Sequence, residues 1–323
     1  MKPFAVGIDV GGSKIAAGLV NREGKINACF TTRAHSEKEP RYVIDAIEDA
    51  YHSVLKECGV SPSEVEGVCL GFAGTVNGPT GMILISSNLP AWHQMPLRDT
   101  VAERIGMPVI LENDTNLCGL GEFYYGAGRG SRNMCYVTFS TGYGLGIIID
   151  GKLYVGATGT AGEVAHIVVD VGGPPCTCGK NGCLMAYASG VGISRMAYDA
   201  IDAGKETLLR AHATPDHKRI GGEAVAEAAN QGDPVAQEII QTAGYYFGVG
   251  LSIIAQIVNP ELIVYGGGLT NLGNQILEPA MLGLRENIQP ELLDSFQLKP
   301  WQLGEQVGVI GAGALVFETM KQT

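Results

Sequence analysis

Phe4-Ala5-Val6-Gly7-Ile8-Asp9-Val10-Gly11-Gly12-Ser13-Lys14-Ile15-Ala16-Ala17-Gly18-Leu19-Val20 is an apolar, β-branched run interrupted once, at Gly11-Gly12-Ser13-Lys14, and the rest of the chain is read from it. Residues 4–9 alternate as a strand does, and 15–20 return after the glycines, so the run is a hairpin with a glycine-rich tip. A tip without Cβ atoms lets backbone N–H groups approach phosphate oxygens, and an acid at the strand end, Asp9, can hold Mg²⁺ or its water. An ordinary tight hairpin would carry the same residues. Neither a Walker pattern nor a GxGxxG opening a helix is present.

About 130 residues on, the outline recurs. Residues 134–139 form an apolar strand, Ser140-Thr141-Gly142-Tyr143-Gly144-Leu145-Gly146 turns the chain, and 147–150 lead it out. Two strand, glycine turn, strand units suggest an internal duplication, each copy presenting a glycine turn to a shared cleft. Gly266-Gly267-Gly268, after a predicted strand at 261–265, is a third place where a flat ligand can lie on bare backbone.

Between and beyond these turns the pattern alternates strands with helices. Ile44, Ile47, Tyr51, Val54, Leu55 and Cys58 share one face of a helix over 41–58, with Gly59 as its stop. Strands are expected at 67–72 and 109–112, with a helix at 97–105 between them. Asp233-Pro234 is a helix start whose run closes at Asn259-Pro260, and 307–320 is a closing helix. The uncharged stretch 239–260 is long enough for a bilayer, but its Gln241, Thr242, Ser252, Gln256 and Asn259 suit a buried core helix better. Gly126-Ala127-Gly128-Arg129-Gly130 loosens the chain, and a boundary between two domains is expected near 122–132.

Composition narrows the function. The chain has 323 residues, long enough for two domains, and its 46 glycines are about twice ordinary usage. Lys+Arg 22 against Asp+Glu 33 gives a net charge of −11 with no basic arm, which disfavours nucleic acid and anionic membranes as partners. Met1-Lys2-Pro3 leads straight into the first strand without a signal-peptide pattern, so a cytoplasmic protein is expected.

Of eight cysteines, Cys29, Cys58, Cys69, Cys118 and Cys135 are scattered and read as small buried hydrophobes, while Cys176, Cys178 and Cys183 crowd one short loop. With His166 upstream they fit a tetrahedral Cys₃His zinc site, structural because no coordination position stays open. Leu111-Glu112-Asn113-Asp114-Thr115-Asn116 closes a buried strand. There Asp114 can take a proton from a substrate hydroxyl while Asn113 directs it; Asp114 as the N-cap of the following helix is the other reading.

These residues carry a resemblance. The chain looks like the ROK family of sugar kinases, glucokinase-like members especially, nearly end to end: GIDVGGSKIAAGLV, GFAGTVNGPTGMI, SNLPAW, LENDTN, STGYGLG, GEVAH, CTCGKNGC and VYGGGL. The CxCGxxGC element with an upstream His is specific to that family. The resemblance implies an α/β, two-lobed actin-like ATPase fold, related to ribonuclease H, with an interlobe cleft. It divides the chain into a small lobe, 1–122, with the closing helix 307–323 packing back on it, and a larger lobe, 123–306, with the zinc loop. It also implies ATP, Mg²⁺ and structural Zn²⁺ as cofactors, sugar and nucleotide as ligands, and a homodimer. Asp114 then resembles the general base; Gly74, Asn88, Asn113, Glu163 and His166 line the sugar pocket; Asp9, Gly11, Gly12, Ser13 and Lys14 match the first phosphate motif, Thr141 and Gly142 the second, and Gly267 and Gly268 the adenosine motif. His166, Cys176, Cys178 and Cys183 match the zinc ligands.

Two positions depart from the family. GCxE is here Gly182-Cys183-Leu184-Met185, so a thioether replaces a carboxylate that grips sugar hydroxyls, and Ala165 occupies a glycine position of ExGH. An unpaired sugar hydroxyl costs about 1–3 kcal/mol, which points either to a modified sugar or polyol or to a glucokinase of lower affinity. A non-catalytic sugar sensor of the same family is the competing class. Its repressors carry a helix-turn-helix ahead of the kinase-like part, for which a hairpin starting at residue 4 leaves no room.

Overall fold

The computed structural model describes residues 1–35, 39–86 and 92–320. In chain order the elements are β1 (Phe4–Val10), β2 (Lys14–Asn21), β3 (Ile26–Arg33), α1 (Pro40–Cys58), β4 (Val65–Phe72), β5 (Thr75–Asn77), β6 (Met82–Ile85), β7 (His93–Met95), α2 (Leu97–Ile105), β8 (Val109–Asn113) and α3 (Asp114–Tyr125). They continue with β9 (Met134–Phe139), β10 (Tyr143–Ile149), β11 (Lys152–Leu153), α4 (Gly190–Asp202), α5 (Gly222–Asn230), α6 (Pro234–Val258), β12 (Leu262–Gly266), α7 (Asn274–Asn287), β13 (Gln297–Pro300) and α8 (Val307–Met320). Among the described residues no helix is long and apolar enough to cross a membrane.

The chain forms two compact units, Met1–Tyr136 with Gly146–Gly162 and Trp301–Thr323, and Val137–Leu145 with Glu163–Pro300. The sequence placed a boundary near 122–132; here the chain first leaves the first unit after Tyr136, returns to it for 146–162 and ends in it with α8.

In the first unit β1 and β2 pair antiparallel from Phe4↔Asn21 to Val10↔Ile15, which is the hairpin expected around Gly11-Gly12. β4 and then β8 extend the sheet in parallel, giving the order β3-β2-β1-β4-β8. Side chains on a strand alternate between faces, and β1 and β4 use the alternation to build two different walls. Val6, Ile8 and Val10 with Val68, Leu70 and Phe72 join the core that includes Val43, Ile47, Tyr51 and Val54 of α1. The opposite face offers Ala5, Gly7, Cys69 and Gly71, and α3 and α8 pack there through Leu117, Leu120, Ala312 and Val316. The missing side chains are what admit the helices: a Cβ on Gly7 would stand 2.3 Å from the Val309 carbonyl, and one on Gly311 would stand 1.8 Å from that of Leu117. Asp9, two residues beyond Gly7, ends this same face.

The helix boundaries follow their local chemistry. α1 starts with Pro40 at its first turn and stops at Gly59, whose φ of 63° is left-handed. α6 is capped by Asp233, which accepts from the backbone N–H of Val235 and Ala236, and ends at Asn259 in the left-handed region.

The second sheet has the order β11-β10-β9-β12-β13, which repeats the first sheet's β3-β2-β1-β4-β8 position for position. The duplication read from the two glycine turns is therefore present in the strand order. Of the scattered cysteines Cys69 and Cys135 are buried, but Cys29 is exposed, because it lies on the outer face of the edge strand β3 rather than in the core.

Candidate active site

In the first unit the parallel strands β1, β4 and β8 end side by side: Asp9 is opposite Gly71, and Gly71 opposite Glu112. The C-terminal edge of such strands is where open α/β sheets hold ligands. Asp114 is the first residue of α3, immediately after β8, and is half-buried. Its Oδ1 accepts the Thr115 N–H at 2.7 Å and lies 3.4 Å from Thr115 Oγ1. The cap of α3 is not Asp114 but Asn113, which keeps the extended backbone a cap needs and accepts from the N–H of Thr115 and Asn116. The capping alternative for Asp114 is thereby overturned. The Asn113 amide also donates to the Gly74 carbonyl at 3.1 Å, so Asn113 and Gly74 form one fixed piece beside Asp114. Asn88 lies outside the described residues.

Two carboxylates frame this corner, Glu112 buried and Asp9 half-buried. Burial pushes the Asp9 acid up to about 6 despite the opposing pull of Lys14. Glu112 is 7% exposed and its acid is likewise raised by burial; Oε1 accepts from the Asn113 N–H at 2.7 Å and from the Asn116 amide at 2.8 Å. Glu112 was missed from the sequence, although an acid in an apolar strand with Asn four residues later was visible. Asp9 and Asp114 converge on one group: the Cys118 thiol is held well above its usual range by burial first, then by Asp114, Asp9 and Glu122. A Cβ on Gly308 of α8 would lie 3.8 Å from the Asp9 carboxyl, so α8 forms the wall behind it. The glycine tip beyond Asp9 is closed by Gly11 N–H to Lys14 carbonyl at 3.0 Å, Ser13 is exposed, and Lys14 reaches Glu305 at 3.8 Å with both side chains in solvent.

In the second unit the Ser140-Thr141-Gly142 turn is closed by Ser140 N–H to Gly142 carbonyl at 2.9 Å. Gly267 lies behind it with φ 98°, and a Cβ there would stand 2.6 Å from the Phe139 carbonyl; Gly268 lies within reach of Ser140. The two motifs therefore meet. Met185, where the family resemblance leads one to expect an acid, lies against the same turn, its Cε 3.4 Å from where a Cβ of Gly142 would be. Glu163 is exposed and opens the short turn that carries His166. His166, Cys176, Cys178 and Cys183 bring one ligand atom each within 4.8 Å of one another, with Cys178 and Cys183 Sγ 3.7 Å apart. That separation is close to the roughly 3.8 Å edge of a tetrahedron with Zn–S bonds of about 2.3 Å, so the donor set can hold a metal ion.

This is the α/β fold of the actin and hexokinase superfamily, two-lobed in the solved sugar kinases it resembles. The model of the ROK family matches residues 5–319, and the chain belongs to that family. It is 35% identical over 312 residues, 96% of this chain and 94% of the other, to a glucokinase of Halalkalibacterium halodurans. The structure of a ROK family glucokinase from Streptomyces griseus in complex with glucose and AMPPNP is 36% identical, with a TM-score of 0.82 over 98% of this chain and 99% of that one. A xylose repressor of Bacillus spizizenii is 27% identical over 98% of this chain and 77% of its own length.

Proposed function

We propose that the chain is an ATP-dependent kinase that phosphorylates the primary, 6-position hydroxyl of a hexose, as a glucokinase does. The observation that carries this reading is Asp114: a half-open carboxylate at the C-terminal edge of the parallel strands β1, β4 and β8, fixed by the first turn of α3 beside the Asn113–Gly74 pair. In the proposed reaction the Asp114 carboxylate accepts the hydroxyl proton as that oxygen bonds to the γ-phosphorus, and ADP leaves. Asn113, Gly74, Asn88, Glu163 and His166 orient the sugar. Gly11, Gly12 and Ser13, with Lys14, Thr141 and Gly142, offer donors to the phosphates, and Gly267 and Gly268 the bare backbone for adenosine. Asp9 would hold Mg²⁺, directly or through water, and the ion would neutralise charge on the β- and γ-phosphates. His166, Cys176, Cys178 and Cys183 would hold Zn²⁺, which ties the 166–183 segment together without a free coordination position. Cytoplasmic location and a homodimer belong to the proposal on the family resemblance alone.

Asp114→Asn tests the base. Turnover is expected to fall by ~10²–10⁴-fold in an ADP-release assay over a panel of sugars, with fold and metal content retained. Near-normal turnover in that variant, or no ADP release from the wild type with any sugar, sinks the kinase and favours a sensor.

Met185 favours a second reading, a kinase for a modified sugar or polyol, because a thioether at this place offers a hydroxyl no strong acceptor. Met185→Glu is expected to raise kcat/KM for glucose by ~5–100-fold, the equivalent of about 1–3 kcal/mol. An unchanged preference returns the assignment to unmodified glucose.

A further inference from the structure

Arg219 lies 78 residues from the second glycine turn in sequence, and its guanidinium donates to the Thr141 hydroxyl at 2.7 Å. The contact is braced from behind by α4. At its start, the Gly190 and Val191 N–H groups donate to the carbonyls of Ser140 and Thr141 at 2.8 and 3.2 Å, which fixes the turn. One turn further along, Ser194 accepts the Ile220 N–H at 3.0 Å. Tyr198 donates to the Lys218 carbonyl at 2.7 Å, accepts the Thr214 N–H at 3.2 Å, and stacks on His217 with ring centroids 4.3 Å apart. One helix therefore holds both the turn and the segment that delivers the arginine.

Charge separates Arg219 from its neighbours. Arg195 is paired with Asp199, and Lys218 with Asp216 at 3.3 Å. Among the described residues no carboxylate lies within ion-pair distance of Arg219, which is exposed beside a cavity of about 370 Å³ that Tyr198, His217, the Arg195–Asp199 pair and Asp202 also line. An unneutralised guanidinium spends one of its five N–H donors on a neutral hydroxyl, and the remaining fork matches phosphate oxygens in pairs. Propping up Thr141 alone would need no charge.

We propose that Arg219 is a phosphate-binding residue for the nucleotide, gripping the phosphate chain from the Thr141 side. The inference rests on the kinase reading, which makes 140–142 a nucleotide turn. It is tested on the full chain by calorimetric binding of ADP and of adenosine to the wild type, Arg219→Ala, Arg219→Lys and Thr141→Val, with steady-state kinetics alongside. Arg219→Ala is expected to weaken ADP by ~10–100-fold and raise the KM for ATP correspondingly, leaving adenosine affinity and the KM for sugar unchanged. Arg219→Lys should keep part of the loss at bay, and Thr141→Val, which retains the cation, should weaken ADP less than Arg219→Ala. Equal ADP affinity in the wild type and Arg219→Ala, or parallel losses for ADP and adenosine, overturns the proposal while the kinase reading stands. A wild type that binds no ADP ends both.

Discussion

The glycine turn after β1 and the glycine turn after β9 top sheets of identical strand order, yet they are equipped with opposite charge. Behind the first is a half-buried acid, Asp9, walled by α8. The second has apolar Phe139 and bare Gly267 behind it and a cation, Arg219, on its rim. A duplicated backbone device has been given a carboxylate suited to a metal ion in one copy and a guanidinium suited to phosphate oxygens in the other. The same loop geometry thus says little about which end of a phosphate chain it handles; the side chains one layer away decide.

The comparison breaks hardest at Asp9. Asp9→Asn keeps the shape and removes the charge, and turnover at saturating nucleotide and Mg²⁺ should fall by ~10²–10³-fold, whereas Arg219→Ala acts mainly on the nucleotide KM. Comparable kcat losses from both would erase the proposed division of labour. The pH dependence sharpens it further. With its acid near 6, Asp9 is ionised above that pH; below it protons compete with the cation, so Mg²⁺ dependence measured from pH 5 to 8 should weaken by about tenfold per unit below 6 and level off above. Stability runs the other way. Because burial favours the protonated form, this group stabilises the fold as pH falls from about 6 toward the unfolded value of 3.8, and Asp9→Asn should be more stable than the wild type above pH 6, by about 1–3 kcal/mol in urea melts. A wild type and variant with parallel pH–stability curves would place the Asp9 carboxylate in water instead.

Smaller in consequence for chemistry is Glu122. It is fully buried at the other end of α3 and accepts the backbone N–H groups of Ala127, Gln302 and Leu303 at 2.7, 2.9 and 2.8 Å, clamping the approach to α8. Glu122→Ala orphans those donors and should cost about 3 kcal/mol of unfolding free energy, with the first turn affected only through α8. A cost near zero would mean that water replaces the carboxylate.

Much of this was legible in the sequence, because the signals are local. The hairpin, the stripe of α1, the Asp233 cap and the thiol cluster each lie within a few residues of their cause. At 113–114 the local signal misled by one position: Asn and Asp are both good caps, and only the sheet register, which ends β8 at Asn113, chooses between them. Glu122 and Arg219 work through partners reached only after folding, 180 residues away for Glu122 and 78 for Arg219, and no spacing rule announces such pairs. Nothing local marks Gly7 or Gly311 as a close approach: Gly7 is where α8 lies on β1, and Gly311 is where α8 meets α3.

That helix has a temporal consequence. α8 is the last helix of the described chain, yet it seals the face of the first sheet that bears Ala5, Gly7 and Asp9. On the ribosome the earliest strands must therefore wait, with one side bare, while the whole second unit is made, and that unit has every residue it needs to fold beforehand. The order of birth and the order of completion are reversed, and Asp9 acquires its surroundings only after α8 has been made.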